Sequence, residues 1–258
     1  MPLDRILEPE VMDSQEEAAD YDSMDHADVN RRFIDDLVAA INSSPSLVVL
    51  GTQYSVPSTQ PTADNLGSSR APNPKSPIPN PKFLDILDLG TGTALIPIEF
   101  CQKFADCRVM AADAAVSMLD LARYNLEVNN LTNRIELAHV DAKLLPFGDA
   151  MFDVVMSNSI IHHIPEPIHV LREAVRVTKP GGLLFFRDLL RPDTLDDLNH
   201  LVATYTTGAN DHQQRMFAES LHAALSLAEI RALIASLGFD PNGVNETSDR
   251  HWTWSAVT

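Results

Sequence analysis

From residue 83 to residue 187 the chain alternates short apolar runs with longer segments whose apolar positions recur every three or four residues. The short runs read as buried strands, and the longer period reads as helices with one face on a core. That places strands at 83–89, 108–112, 134–140, 152–157 and 183–187, with helices at 94–105, 115–129 and 166–177. Pro180-Gly181-Gly182 is read as the turn into the fifth strand. Strands separated by helices predict a parallel, doubly wound α/β sheet, with ligands at the strands' carboxyl ends.

The flanks follow other patterns. A helical-looking stretch at 14–19 precedes apolar positions 29, 33, 34, 37, 38 and 41, which form one stripe and predict a packed helix over about 25–41. Residues 43–82 are crowded with Pro, Ser, Thr and Asn, too little apolar surface to offset the entropy of ordering them. They are expected to form a flexible insertion, with 47–50 as a candidate short strand. After residue 187, helical patterns cover 193–207, 210–224 and 227–237, and Gly238 is a natural C-cap. Strand-like 239–246 and 250–256 then predict a closing hairpin. The organisation expected is an N-terminal segment (1–42), an insertion (43–82) and one domain (83–258) with extra helices at 193–224.

Composition narrows the partners. The 258 residues are 45% hydrophobic, enough for a substantial core. The formal charge of −17 repels nucleic-acid phosphates and anionic lipid, so a small-molecule substrate is favoured, with no nucleic acid and no membrane as partner. The N-terminus lacks a basic, then apolar, leader pattern and no apolar run reaches eighteen residues, giving a cytoplasmic expectation. Cys101 and Cys107 have no metal-ligand spacing and read as small buried hydrophobes. His26, His200, His212, His222 and His251 are scattered, so no metal is expected from them. Oligomeric state is not legible.

The chemistry concentrates around Asp88-Leu89-Gly90-Thr91-Gly92-Thr93-Ala94, a strand end, a tight turn and a helix start. A phosphate loop would need Lys after its last Gly, and a dinucleotide loop a third Gly where Leu95 stands. Acids end three successive strands: Asp88, Asp113 and Asp141. One Asp after a strand is usually a turn former or cap, but three in this order around a glycine turn suggest a cofactor edge. Asp113 suits any ribose, so a nicotinamide-dependent oxidoreductase stays open as an alternative, as does a non-catalytic cofactor-binding protein.

The Asp88-x-Gly90-x-Gly92 pattern resembles motif I of class I S-adenosylmethionine-dependent methyltransferases, with Ala94 in place of a common third glycine. The resemblance implies a Rossmann-like seven-stranded sheet of order 3-2-1-4-5-7-6, last strand antiparallel, under an N-terminal helical lid. It implies S-adenosylmethionine as cofactor: Gly90, Thr91 and Gly92 forming the cradle, Asp88 facing the methionyl ammonium, and Asn158 near it. Asp113 would take the ribose hydroxyls, and Asp141 and Ala142 the adenine. Tyr21, His26, Arg31 and Arg32 are its candidate lid residues. Asn158-Ser159-Ile160-Ile161 lacks the Asn/Asp-Pro-Pro-Tyr/Phe run of base- and protein-directed amino methyltransferases. His162-His163-Ile164-Pro165 is similar instead to ubiquinone-biosynthesis and natural-product methyltransferases, which implies an O, N or C acceptor on a small molecule. In sugar and phenol O-methyltransferases a His here and an acid after strand 5 deprotonate the acceptor, which makes His162, His163 and Asp188 the catalytic candidates. The bland alternatives are a His pair that caps the next helix and catalysis by positioning alone.

Overall fold

Seven strands pair in the order β3-β2-β1-β4-β5-β7-β6 in the computed structural model, which describes residues 3–9, 11, 13–23, 27–48 and 83–258, the side chains of Glu17, Ala19, Tyr21 and Val48 excepted. The central strands β1 (Leu84–Leu89), β2 (Cys107–Asp113), β3 (Ile135–His139), β4 (Phe152–Asn158) and β5 (Thr178–Leu189) are parallel. β7 (His251–Val257) runs antiparallel between β5 and β6 (Val244–Ser248). The hairpin-closed sheet expected from the sequence is what forms.

Period-two alternation divides the core. From β1, Leu84 and Ile86 join Phe33 and Leu37 of α2 (Ala27–Ser43) and Phe100 of α4 (Leu95–Lys103) on one face. Leu87 and Leu89 join the other face, with Leu171 of α6 (Ile168–Val177), Ile234 of α9 (Leu227–Ser236) and both tryptophans, Trp252 and Trp254. Each such buried side chain contributes about 1.5–3 kcal/mol. α2 is also pinned electrostatically: buried Arg187 of β5 lies over the Phe33 ring, donates to Thr253 Oγ1 (2.8 Å) and pairs with Asp36 (2.5 Å). Three further helices are α5 (Val116–Val128), α7 (Leu195–Tyr205) and α8 (Asp211–Ala223). Gly238 ends α9 at φ +86°, as expected.

Three readings need correction. β5 starts at Thr178, directly after α6, and Pro180-Gly181-Gly182 does not turn the chain into it. The extra residues are absorbed as a bulge, where pairing jumps from Phe152↔Thr178 to Val154↔Leu183. A bulge is a place in a sheet where proline is tolerated. Thr258 holds it, accepting from Gly181 N–H (2.9 Å) and donating its hydroxyl to Lys179 O (2.6 Å). Second, residues 45–48 form a helical turn, α3 (Pro45–Val48), where a strand over 47–50 was expected. Pro45 opens that turn and Leu47 is buried in the α2 face of the core; residues 49–82 of the expected insertion lie outside the described residues. Third, the strand expected at 239–246 begins only at Val244, because Pro241–Gly243 make a 3₁₀ turn.

A Cβ at Gly182 would stand 2.7 Å from Thr178 Cγ2, 2.8 Å from Lys179 O and 2.9 Å from Asp153 O. Two of those neighbours are backbone and cannot move aside. Gly182→Ala should therefore lower the unfolding free energy by about 1–3 kcal/mol, measured by urea denaturation. Gly148→Ala, with only ordinary contact to Met151, should change it little.

Candidate active site

The turn after β1 is left-handed at three positions: Gly90 (φ 71°), Gly92 (φ 55°) and Ala94 (φ 63°). Gly90 and Thr91 donate their N–H groups to Ala112 O (2.8 and 3.0 Å), which ties the turn to β2. A Cβ at Gly90 would come 1.7 Å from Ile160 Cγ2, so glycine lets the loop after β4 close over it. Ala94 accepts left-handed backbone at a cost of about 1–2 kcal/mol, and its buried methyl packs with the α2 face of the core.

Beside this turn is an open cleft lined among others by Val11, Gly92, Asp113, Asp141, Asn158 and His163. Among the described residues, four buried polar atoms of the turn and of the ends of β1 and β4 have no hydrogen-bond partner: Asp88 Oδ2, Thr91 Oγ1, Thr93 Oγ1 and Asn158 Oδ1. An unpaired buried polar atom costs about 1–3 kcal/mol. Three of the four belong to residues the sequence nominated, and the set is one that a cationic, hydrogen-bonding ligand group would satisfy. Burial, first, pushes the Asp88 carboxyl up to about 7; the Thr91 hydroxyl works against this and the Asp113 charge with it.

Asp113 is engaged already. Its Oδ2 accepts from Gly92 N–H and its Oδ1 from Ala115 N–H, both at 2.8 Å. It thus braces the glycine turn while facing the cleft, and each oxygen retains a lone pair for a ligand hydroxyl. Asp141 also lines the cleft, but its Oδ1 accepts from Lys143 N–H (2.9 Å) and pairs with Lys143 Nζ (3.1 Å), a turn-forming role beside any ligand contact. Ala142 lies next to it on the cleft wall.

The second group of candidates converges at the ends of β4 and β5. Asp188 is buried, and its Oδ1 accepts from His162 Nδ1–H (2.5 Å) and Leu189 N–H (2.6 Å), its Oδ2 from Ile161 N–H (2.5 Å). Burial raises its pKa, but the His162 charge and these hydrogen bonds outweigh that and hold it below the ordinary carboxylate value. His162 moves the opposite way: burial lowers it, and Asp188 and Glu8 more than compensate. The Asp–His pair expected from sequence is present, but the far nitrogen of His162 faces Glu8 Oε1 (3.5 Å). His163 is the member that lines the cleft, and its Nδ1 stands 3.0 Å from the same Glu8 oxygen.

Glu8 was not foreseen. It arrives on an extended strap, residues 3–9, fixed by Leu3 N–H to Asp193 O and Ile6 N–H to His222 O (both 3.1 Å). Arg5 clamps the strap to the histidine loop by donating to the carbonyls of His162 (3.1 Å) and Ile164 (3.0 Å). Further on, Asp13 accepts from Ser117 N–H (3.0 Å) at the start of α5, and Asp20 of α1 (Gln15–Ser23) pairs with His212 of α8 (2.7 Å). The N-terminal segment thus touches both flanks of the cleft. Of the lid candidates, Arg31 pairs with Asp28 on the exposed side of α2 and Arg32 is exposed, neither lining the cleft; His26 and the Tyr21 side chain lie outside the described residues. Cys101 and Cys107 are buried as expected, their sulfurs 3.5 Å apart.

Residues 87–186 match a family model described as a methyltransferase domain. The ubiquinone/menaquinone biosynthesis C-methyltransferase UbiE of Vibrio campbellii is 30% identical over 166 residues, 60% of this chain and 64% of that protein. The 27-O-demethylrifamycin SV methyltransferase of Amycolatopsis mediterranei is 28% identical over 174 residues, 66% of this chain and 60% of that one. The chain therefore spans less than two thirds of the length of either relative. Among solved structures, an S-adenosylmethionine-dependent methyltransferase from Aquifex aeolicus shares the fold with a TM-score of 0.50 at 17% identity, covering 67% of this chain and 81% of its own.

The raised pKa of Asp88 has a signed consequence. The folded state holds this proton up to about pH 7 and the unfolded carboxyl only to 3.8, so the Asp88 contribution is full below pH 3.8 and is lost as pH rises to about 7. Asp88→Asn should remove that loss. The stability difference, variant minus wild type, should grow from pH 4 to pH 7 in denaturant titrations; a pH-independent difference would place the charge of Asp88 in contact with water.

Proposed function

We propose that the protein, whose residues 87–186 match a methyltransferase-domain model and lie in a sheet of order β3-β2-β1-β4-β5-β7-β6, transfers a methyl group from S-adenosylmethionine to a hydroxyl oxygen of a small molecule. The observation that carries the cofactor half is the set of orphaned buried atoms at the turn and strand ends, Asp88 Oδ2, Thr91 Oγ1 and Asn158 Oδ1. They fit the ammonium and carboxylate end of that cofactor. Asp113 is poised for the ribose, and Asp141 with Ala142 for the adenine. Bound there, S-adenosylmethionine supplies a methyl on a cationic sulfur, which keeps the carbon–sulfur electron pair when the acceptor takes the carbon.

The chain's own residues do the rest. The Gly90–Gly92 turn and Asn158 orient the donor for in-line transfer. The cluster of His162, His163 and Asp188 stands where β4 and β5 end and holds or removes the hydroxyl proton of the acceptor. The relatives leave the acceptor atom open, one being named for transfer to carbon and the other to oxygen. Oxygen is preferred here because His163, which lines the cleft beside Glu8, offers a proton-handling group that an already nucleophilic carbon or amine has less need of. The acidic chain favours an uncharged or cationic acceptor.

S-adenosylhomocysteine at about 100 times its Kd should stabilise the protein by about 2.7 kcal/mol, whereas NAD should not. A thermal shift with NAD alone would sink the reading. Once a screen with methyl-labelled S-adenosylmethionine identifies a hydroxyl acceptor, His163→Ala should lower turnover by about 10²–10⁴-fold with S-adenosylhomocysteine affinity nearly unchanged in calorimetry. Unchanged turnover in that variant would leave positioning as the whole of catalysis.

A further inference from the structure

Three potential ligands meet beside the cleft, of which His163 lines it: Glu8, His162 and His163, whose donor atoms all lie within 4.8 Å of one another. The two histidines are adjacent in a 3₁₀ turn, Ile161–His163, with ring centroids 4.1 Å apart. One offers its far nitrogen and the other its near one, which lets neighbouring residues reach a common point. Glu8 Oε1 and His163 Nδ1 are buried and in ion-pair contact at 3.0 Å, and among the described residues neither atom has a hydrogen bond of regular geometry.

The surroundings are those of ligands held in place. His162 donates its other ring nitrogen to Asp188, which orients the ring with Nε2 towards Glu8, so that an ion binding there takes the place of the Nε2 proton. Glu8 Oε2 accepts from Ser220 (3.1 Å), orienting its carboxylate. For bonds of 2.0–2.2 Å, a tetrahedral site has donor–donor edges of about 3.3 Å; the two edges to Glu8 are 3.0 and 3.5 Å. Two imidazoles and one carboxylate suit a borderline divalent ion, and three protein ligands leave a position for a further ligand.

We propose that Glu8, His162 and His163 bind one divalent transition-metal ion, zinc being the best match, with its fourth position open to a molecule in the cleft that His163 lines. The ion's role rests on the hydroxyl-acceptor reading above; its binding does not. With the ion bound, the histidines act as ligands in place of a base: an acceptor R–OH on the fourth position would lose its proton to water, and the metal-held R–O⁻ would form the new oxygen–carbon bond as the carbon–sulfur bond breaks, the pair staying on sulfur. A redox-inert Lewis acid supplies that acidification directly. The strap then delivers a ligand, and its ties at Leu3, Arg5 and Ile6 keep it there.

The test uses the full chain, stripped with a chelator and dialysed, then titrated with zinc chloride by calorimetry and with cobalt chloride by visible absorption. The expected result is one zinc per chain, cobalt bands of a four-coordinate site, and affinity that rises with pH as the imidazoles lose their protons. Glu8→Gln and His163→Ala should each weaken zinc by more than about 100-fold, beyond the usual cost of an outer-shell change. His200→Ala, outside the cluster, should not. Because Glu8 is no part of the proposed cofactor cradle, S-adenosylhomocysteine binding by E8Q certifies its fold even if the His163 variant fails to fold. Absence of stoichiometric zinc, or zinc retained undiminished in E8Q, overturns the site, with the methyltransferase reading intact if S-adenosylhomocysteine still binds. Zinc bound without any affinity for S-adenosylhomocysteine supports the site and removes the methyltransferase reading instead.

Discussion

Carboxylates taken out of water at the carboxyl edge of the sheet are the constraint around which this molecule is arranged. A buried charge needs donors, and the backbone at strand ends is the nearest source. Asp113 obtains two N–H groups, and in doing so fixes the glycine turn. Asp188 obtains two N–H groups and an imidazole, and in doing so fixes the histidine loop relative to β5. Asp88 keeps an unpaired oxygen, and the strand-end environment answers by holding its proton. Two acids are spent on architecture, and the third is left in a state that a cation relieves.

Most of the frame was legible because buried parallel strands are short apolar runs with little ambiguity of length. Where the reading failed, local signals were real but were overruled by tertiary context. Pro180-Gly181-Gly182 does break the regular ladder, but the chain end, through Thr258, secures a bulge there and β5 continues. Leu47 is apolar and buried as a strand residue would be, but it packs from a helical turn opened by Pro45.

The site was half legible. Asp88, Asp113, Asp141 and Asn158 announce themselves by sitting at strand ends, and the order of strands brings the last three to one cleft, with Asp88 buried beside the glycine turn. Glu8 could not be found this way, since 154 residues separate it from His162 and its segment has no periodic pattern; only Arg5, a cation in an acidic stretch, hints at an anchored strap. His162 and His163 were nominated together. Which of them faces the cleft depends on the 3₁₀ turn and on Asp188, neither of which has a sequence signature.

Both tryptophans of the chain lie on β7, fully buried and two residues apart. Pairing sets Trp252 opposite Asp188 and Trp254 opposite Phe186, and neither indole N–H has a partner among the described residues. The protein's intrinsic emission therefore originates in the apolar layer that β7 shares with β5. It is a built-in optical probe of that half of the sheet, blue-shifted while β5 and β7 stay paired.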